Sequence, residues 1–243
     1  MVQLRHRSAL VTGGARGLGA AISRRLAASG VAVWIADVRT ELLMGLCSEL
    51  RSTGSTATPL SLDVRDADLV HEAVETVCDE AGSLDILVNC AAVDVSKPIE
   101  HLSPAEAAQV ITTNLVGPVN LCLATYRRMV EQGAGHIVNI LSTASLRTWT
   151  EAGPYAASKS GLRAFTHTLF QEAQRDCMGI GVTGIIAGGM ETPFIMDRFP
   201  DADTSKLQPP EIVADTVMYA LSVPPGSVVP ELVIIPRAEP SWP

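Results

Sequence analysis

A glycine-rich segment near the start of the chain has the composition of a phosphate-binding loop. Gly13, Gly17 and Gly19 follow the apolar run that ends at Val11 and precede a helical pattern beginning near Gly17. Glycines let the backbone turn sharply and approach a phosphate without a Cβ in the way. The amino terminus of the following helix adds unpaired N–H groups and a partial positive charge. The spacing G-x-x-x-G-x-G differs from the commoner G-x-G-x-x-G, so a tight structural turn is the alternative interpretation.

Asp37 supplies the second half of this signal. It ends the apolar run 31–37, eighteen positions beyond Gly19, where an acidic side chain accepts hydrogen bonds from an adenosine ribose. A carboxylate at that point repels a 2′-phosphate, so the sequence predicts NAD as the cofactor. NADP stays open as the alternative, because Arg16 and Arg39 are basic groups that together can clamp a 2′-phosphate.

These residues need a framework that brings the ends of several strands together. Apolar, β-branched runs predict strands over residues 8–12, 31–37, 57–63, 84–90, 136–141, 181–186 and 232–235. Amphipathic patterns predict helices over residues 17–29, 40–52, 66–81, 104–132, 155–176 and 210–222. The alternation predicts an α/β protein with a three-layer, doubly wound Rossmann fold and a central parallel sheet of about seven strands. We expect residues 1–243 to form one NAD(P)-binding domain, with a substrate lid at residues 188–209.

Further motifs follow in chain order and carry a family resemblance. They match in residue type, order and spacing, and together they resemble the short-chain dehydrogenase/reductase family over essentially the whole chain. The resemblance implies an oxidoreductase that transfers hydride between a nicotinamide cofactor and a secondary alcohol or ketone. The motifs are residues 12–19, Asp63, Asn89-Cys-Ala-Ala92, Asn114, Ser142, and Tyr155 with Lys159.

Several positions depart from the family pattern. Cys90 and Ala92 replace small or polar members of the fourth-strand motif, and Ala187 stands where a proline usually precedes the glycine. Residues 229–236 lack the usual glycine-rich ending and resemble a branch of small-alcohol oxidoreductases in which many members use NADP. The charge of Asp37 argues against that cofactor here.

The spacing of Tyr155 and Lys159 predicts a proton-transfer pair, since at positions i and i+4 of a helix the ammonium lies within reach of the phenol. That cation, with a positively charged nicotinamide, is expected to lower the pKa of Tyr155 from about 10 toward the working pH. Ser142 then holds the substrate oxygen and stabilises the charge that develops on it. By resemblance, Asn114 anchors a water that links Lys159 to solvent, and Lys159 also binds the nicotinamide ribose.

The predicted site combines these motifs with the segment that, by resemblance, lies over the nicotinamide. The predicted catalytic residues are Ser142, Tyr155, Lys159 and Asn114. The predicted cofactor-binding residues are Gly13, Arg16, Gly17, Leu18, Gly19, Asp37, Asp63, Val64, Asn89, Ala91, Tyr155, Lys159, Gly188, Met190 and Thr192. No metal site is expected, because histidines and cysteines are scattered without H-x-x-x-H or C-x-x-C pairs.

The predicted substrate pocket draws on residues 93–96, 143–151 and 190–199. These supply the apolar side chains of Leu146, Trp149, Phe194, Ile195, Met196 and Phe199. They indicate a small to medium, mostly apolar substrate, cyclic ones included. Arg147, Glu151 and Arg198 either recognise a polar group or face water.

Composition excludes several classes of function. The net charge of −8 argues against a nucleic-acid surface, which needs clustered Lys and Arg. The uncharged stretch 107–126 is interrupted by polar residues and predicts a buried helix rather than a membrane span. Five widely spaced cysteines fit a reducing compartment, so we expect a soluble, cytoplasmic protein. The family resemblance implies a homodimer or homotetramer in which the long helices pair across a two-fold axis. Apolar positions beyond one core-facing stripe support this expectation; they are Leu162, Phe165, Leu169 and Phe170.

Two other functions fit parts of the same sequence. A dehydratase or epimerase of related fold keeps the cofactor, although such enzymes are typically longer and carry a separate substrate domain. A catalytically idle NAD(P)-binding regulator senses redox state, but it has no need of a proton-transfer set. A turnover screen over secondary alcohols distinguishes the dehydrogenase from the regulator.

Overall fold

Seven strands form one parallel sheet at the centre of the protein. The structure, a computed structural model, describes residues 4–177, 179–224 and 226–239. The strands are β1 (Ser8–Thr12), β2 (Ala32–Asp37), β3 (Ala57–Ser61), β4 (Ile86–Asn89), β5 (Gly135–Ser142), β6 (Ile180–Ala187) and β7 (Glu231–Ile234). Their order in the sheet is β3-β2-β1-β4-β5-β6-β7, with every pair parallel. This confirms the predicted doubly wound fold, and the order reverses direction between β1 and β4, where such sheets bind ligands.

Helices cover both faces of the sheet. They are α1 (Gly17–Ala28), α2 (Thr40–Ser52), α3 (Ala67–Ala81), α4 (Pro104–Ile111), α5 (Gly117–Gln132), α6 (Gly153–Asp176), α7 (Pro193–Met196) and α8 (Pro210–Leu221). Successive strand residues point to opposite faces, so Val11 joins the core under α1, α2 and α8, while Leu10 joins the core under α3, α5 and α6. The near-continuous apolar strands are therefore explained by burial on both sides.

Two predicted strand ends need correction. β3 ends at Ser61, so Asp63 lies in the following loop, where its carbonyl accepts a hydrogen bond from the Asp66 N–H at 3.1 Å. β4 ends at Asn89, which leaves Cys90 outside the sheet. In both cases the chain leaves the ladder earlier than the apolar pattern suggests, because the loop backbone forms its own turn contacts.

The long helix predicted over residues 104–132 is interrupted by a wider, π-helical turn at Thr112–Val116, between α4 and α5. Pro118 has no N–H to donate to the carbonyl of Asn114 four residues earlier, which accounts for the wide turn. The whole segment Pro104–Gln132 is long and apolar enough to cross a membrane by length and composition alone. Its buried side chains, including Leu121 and Met129, pack into the core beneath the sheet.

Residues 188–209 are more ordered than the sequence indicates. They contain α7 and a 3₁₀ turn at Thr204–Lys206. The two ends of the segment are joined by hydrogen bonds from Glu191 N–H to the Gln208 carbonyl at 3.0 Å and from Gln208 N–H to the Gly189 carbonyl at 3.1 Å. The segment is therefore a loop closed at its base that projects from the carboxyl edge of the sheet.

The side chains named as surplus on the long helices belong to the core, so that argument for assembly is wrong. Leu162 and Leu169 are buried, and Phe165 and Phe170 pack against the core. α6 contributes side chains to two clusters of the core, so it buries more apolar positions than a helix with a single apolar stripe. The exposed apolar side chains lie elsewhere, including Leu123 and Val130 on α5.

Candidate active site

The glycine loop packs so tightly that it leaves no room for a side chain at several of its glycines, Gly13 and Gly19 among them. Gly13 has φ +61°, and a Cβ there would lie 2.6 Å from the Ala91 Cα. A Cβ on Gly19 would lie 2.1 Å from the Gly13 carbonyl oxygen. Gly17 meets no close backbone but has φ +54°, a conformation that side chains other than glycine rarely adopt. The loop is thus fixed by backbone packing between β1, β4 and α1.

The amino terminus of α1 opens onto a cavity without a side-chain cap. Arg16 is the N-cap residue, its side chain makes no capping hydrogen bond, and the first turn contains no acidic residue. Gly17, Leu18 and Gly19 line the cavity. The first N–H groups of a helix have no intrahelical partners and carry a partial positive charge. The loop therefore presents free donors, which suit an anion.

Two copies of the sequence Asp-Val-Arg lie at the ends of β2 and β3. Asp37 is 4% exposed, and its carboxylate accepts hydrogen bonds from the Ala15 N–H at 3.2 Å and the Arg39 N–H at 3.0 Å. Asp63 accepts from the Arg65 N–H at 3.0 Å, and its hydrogen bonds with the Arg65 side chain hold the pKa of the Asp63 carboxyl below its ordinary value. Both carboxylates line the cavity.

The two arginines considered for a 2′-phosphate clamp also line the cavity, and each faces a carboxylate. Arg16 pairs with Asp197 of the segment 188–209 at 2.7 Å. The Arg39 guanidinium lies 3.4 Å from Asp37. Their positive charge is therefore partly neutralised by the protein itself.

Ser142, Tyr155 and Lys159 line the same cavity as the glycine loop. Ser142 is the last residue of β5, and the other two lie one turn apart on the first part of α6. Ser142 and Tyr155 are hydrogen-bonded through their side chains. The Lys159 Nζ donates to the Ile140 carbonyl at 2.8 Å and lies 5.9 Å from the centroid of the Tyr155 ring.

The chain by itself does not lower the pKa of Tyr155, and the lowering predicted in the presence of the oxidised nicotinamide stays a prediction. Burial raises the pKa of Tyr155 to about 12, and the hydrogen bond with Ser142 only partly opposes this. Burial lowers the pKa of Lys159 to about 8. Desolvation disfavours the charged form of each group, and the Lys159 ammonium is bonded to a carbonyl rather than to the phenol. A lower tyrosine pKa therefore needs a further positive charge.

Asn114 and Asn89 lie outside the lining of this cavity. The Asn114 amide donates to the Val93 carbonyl at 2.8 Å and to the Ser158 hydroxyl at 3.2 Å, and its oxygen accepts from the Val93 N–H at 2.8 Å. It connects the loop after β4 to the residue beside Lys159. Asn89 donates to the Asn139 side chain at 2.8 Å between β4 and β5, and its neighbours Cys90 and Ala91 line the cavity in its place.

The cavity has a volume of about 480 Å³ and runs along the carboxyl edge of the sheet. Asp37 and Asp63 lie on one side of the β1–β4 reversal, and Ser142 lies on the other side. The predicted cofactor-binding residues that line it are Gly13, Arg16, Gly17, Leu18, Gly19, Asp37, Asp63, Val64, Ala91, Tyr155, Lys159, Gly188, Met190 and Thr192.

The chain matches the model of the short chain dehydrogenase family over residues 7–203. It belongs to that family. Members are oxidoreductases of the NAD(P)-dependent reductase and dehydrogenase type, so a nicotinamide cofactor is supported for this family member.

A curated relative and two solved structures are similar to this chain over nearly its full length. The short-chain reductase protein NovJ of Streptomyces niveus is 30% identical, with 96% of this chain and 93% of that protein covered. A variant of the actinorhodin polyketide ketoreductase, solved with NADPH, has a TM-score of 0.88 at 29% identity, covering 98% of both chains. An alcohol dehydrogenase from the archaeon Thermococcus sibiricus, complexed with 5-hydroxy-NADP, has a TM-score of 0.87 at 28% identity, covering 96% of this chain and 97% of that one.

The pocket predicted for this family member's substrate is only partly correct. Trp149, Phe194, Ile195, Phe199 and Arg198 line the cavity. Leu146, Met196, Arg147 and Glu151 do not; Leu146 packs instead against the core around Leu141, Leu162 and Ile186.

The sequence patterns did not indicate every residue of the cavity wall, and two charged ones stand out among those they missed. Arg65 lines the cavity beside Asp63, and the repeated Asp-Val-Arg sequence is the signal that points to it. Glu239 also lines the cavity, and its carboxylate accepts a hydrogen bond from the Gly189 N–H at 2.8 Å. No local pattern marks Glu239, because only the return of the chain after β7 brings it to residue 189.

Proposed function

We propose that this protein is an NAD(H)-dependent oxidoreductase that acts on a secondary alcohol or ketone of small to medium size and mostly apolar character. The observation that supports this most strongly is the shared cavity, in which Ser142, Tyr155 and Lys159 line the same walls as the glycine loop. A binding protein without turnover has no need of a hydrogen-bonded serine–tyrosine pair beside a buried lysine.

The cofactor fits the residues present. Gly13 and Gly19 leave a cradle that a Cβ would fill, and the uncapped start of α1 suits a pyrophosphate. Asp37 takes the adenosine ribose, Asp63 and Val64 lie beside the adenine, and Lys159 takes the nicotinamide ribose. The remaining proposed contacts around the nicotinamide are Ala91, Gly188, Met190 and Thr192. When bound, the cofactor supplies or accepts the hydride.

NAD(H) is the proposed cofactor rather than NADP(H). Asp37 is prepositioned by two backbone N–H groups, and it carries its negative charge where a 2′-phosphate would lie. Arg16 and Arg39 each face a carboxylate, which weakens the alternative clamp. Two structural neighbours were solved with NADPH or an NADP derivative, so the choice rests on the local charge of this chain.

Tyr155 acts as the general acid and base in this proposal. In ketone reduction it donates its proton to the carbonyl oxygen as hydride reaches the carbon, and in alcohol oxidation it takes the hydroxyl proton as hydride leaves. Ser142 holds that oxygen and stabilises its developing charge. The Lys159 cation and the charge of the oxidised nicotinamide lower the Tyr155 pKa from about 12.

Asn114 serves in this proposal as a positioning residue. It holds the loop after β4 at Val93 and contacts Ser158 next to Lys159. A water near the wide helical turn is proposed to continue the path from Lys159 to solvent.

The remaining proposals concern organisation. Residues 188–209 form a lid on a single domain, because they close over the apolar end of the cavity with Phe194 and Phe199. A homodimer or homotetramer is proposed on the exposed apolar side chains of α5, including Leu123 and Val130. The cytoplasm is proposed as the location, because the sequence is acidic and its cysteines are widely spaced.

A turnover screen tests the proposed function. The purified protein is mixed with NADH or NADPH and a panel of cyclic and open-chain ketones, and the loss of reduced-nicotinamide absorbance is followed; the reverse reaction uses the matching alcohols. Turnover of at least one ketone, faster with NADH, supports the proposal. Tight cofactor binding with no turnover of any ketone or alcohol contradicts it and favours the regulator.

A further inference from the structure

Asp94 and Arg198 form an ion pair at the end of the cavity that is lined by Phe194 and Phe199. Asp94 follows β4, and Arg198 lies just beyond α7 in the segment 188–209. The two side chains are hydrogen-bonded to each other, and they are 7% and 22% exposed respectively. Both line the cavity together with Phe194 and Phe199. A buried ion pair is expensive to desolvate unless its remaining hydrogen-bonding positions are filled.

One oxygen of the Asp94 carboxylate lacks a hydrogen-bond donor within the described residues. One oxygen accepts from Arg198 and from the Ser96 hydroxyl at 3.3 Å. The other oxygen, Oδ1, is buried and has no hydrogen-bond partner within the described part of the chain. A buried acceptor without a donor is unfavourable, and an ionised carboxylate accepts several hydrogen bonds.

Arg198 is held rigidly by its surroundings. Its Nε donates to the Phe194 carbonyl at 2.8 Å, and its Nη1 donates to Asp94 and to the Ser96 hydroxyl at 3.1 Å. Its guanidinium carbon lies 4.3 Å from the centre of the Phe194 ring and 5.3 Å from that of Phe199. The pair therefore joins the loop after β4 to the segment 188–209 in one fixed arrangement.

The pair lies near the proposed reacting centre. The Phe194 ring centre is 5.9 Å from that of Tyr155. The charge of Asp94 raises the pKa of Tyr155 and that of Arg198 lowers it, so both act over a short distance. Arg198 and Tyr155 therefore both lie beside the Phe194 ring, so a small molecule bound at Tyr155 is a neighbour of the ion pair.

We propose that Asp94 determines substrate specificity by accepting a hydrogen bond from a second hydroxyl group on the substrate, which makes the substrate a hydroxyketone or the corresponding diol. This rests on the proposed function. Arg198 repels an ammonium donor, and Asp94 repels a carboxylate, so a neutral hydroxyl suits the pair best. Because Oδ1 is buried in this arrangement, the hydroxyl reaches it when the segment 188–209 shifts to admit the ligand.

The test compares matched substrates rather than absolute rates. The ratio of kcat/KM for each monohydroxylated cyclohexanone to kcat/KM for cyclohexanone is measured in the wild type, in Asp94→Asn and in Asp201→Asn. We expect a ratio of at least about tenfold for one isomer, the factor that corresponds to about 1.4 kcal/mol. The ratio is expected to fall to within about threefold of unity in Asp94→Asn. Asp201 is an exposed carboxylate in the same segment and outside the cavity lining, so its variant keeps the wild-type ratio.

A binding measurement separates failure of this proposal from failure of the proposed function. Cyclohexanediols and cyclohexanol are titrated into the NAD-loaded protein, with quenching of the tryptophan fluorescence, to which Trp149 in the cavity wall contributes, as the signal. Preference for one diol that disappears in Asp94→Asn supports the hydroxyl site even if nothing is turned over. A kcat/KM ratio near unity in the wild type, or one that is unchanged in Asp94→Asn, overturns the hydroxyl site. In that case, any turnover of cyclohexanone leaves the proposed function intact.

Discussion

Asp37→Asn is predicted to reverse or erase the preference for NAD(H) over NADP(H). The wild-type carboxylate is 4% exposed and is oriented by the Ala15 and Arg39 N–H groups. Asparagine keeps the shape and one acceptor oxygen but removes the charge. Hydrogen bonds to a charged group contribute about 1.5–3 kcal/mol, against about 1 kcal/mol for neutral ones, so NADH affinity should fall roughly tenfold.

The same substitution should strengthen NADPH binding. A carboxylate and one phosphate charge about 5 Å apart repel each other by about 3 kcal/mol at an effective dielectric constant of about 20. Removing this repulsion corresponds to roughly a hundredfold gain in affinity. The ratio of the two dissociation constants should therefore change by about 10²–10³-fold in favour of NADPH.

Fluorescence titration of NADH and NADPH into both proteins measures this ratio. Asp63→Asn is the matched control, because Asp63 has the same Asp-Val-Arg context and lines the same cavity. Since Asp63 is proposed to lie beside the adenine, this substitution should weaken both cofactors equally. A wild type that prefers NADPH, or a ratio unchanged by Asp37→Asn, would refute the charge argument.

Three further predictions concern the loop, the buried lysine and acid stability. Gly13→Ala should weaken cofactor binding at least about tenfold and lower stability by roughly 1–3 kcal/mol, because φ is +61° and the new Cβ meets the Ala91 backbone. Gly45 lies on an exposed face with no close neighbour, so Gly45→Ala should change neither quantity. Cofactor titration and urea unfolding of both variants measure the two effects. The wild-type free energy of unfolding should rise by up to about 3 kcal/mol between pH 8 and 10.5, because the unfolded chain there binds a proton that the folded Lys159 has released. Lys159→Met should remove this rise, and equal pH dependence of unfolding in both proteins would contradict it. Burial lowers the pKa of His136 to about 4, so stability should fall as the pH drops from about 6.5 to 4, and unfolding curves of His136→Gln should show a smaller fall.

Sequence periodicity predicted the sheet well because strands buried on both faces and amphipathic helices leave strong patterns. The positions of the glycine loop and of Asp37 at the carboxyl ends of β1 and β2 were also predictable, since they depend on local backbone geometry at strand ends. Strand ends near Asp63 and Cys90 were less accurate, because apolar residues continue into the loops after the ladder stops. Pro118 in the middle of the long helix was the available signal for the wide turn near Asn114.

Long-range contacts within the cavity were not predictable in the same way. The pairing of Asp94 with Arg198 joins residues 104 positions apart, and Glu239 reaches Gly189 across 50 positions. The raised pKa of Tyr155 depends on its partial burial by surrounding elements, whereas helix spacing indicates only that Lys159 is near. Such features follow from packing of the whole chain and have no local pattern.

Turnover by Tyr155→Phe, once a substrate has been found, tests the central claim most directly. The substitution removes one oxygen and keeps the ring, so the contact with Phe194 and the fold should survive. If Tyr155 transfers the proton, turnover should fall by roughly 10²–10⁴-fold while the dissociation constant of NADH changes little. Tyr126→Phe, which removes a hydroxyl bonded to Asp176 far from the cavity lining, should retain wild-type turnover. Undiminished turnover in Tyr155→Phe would contradict the mechanism.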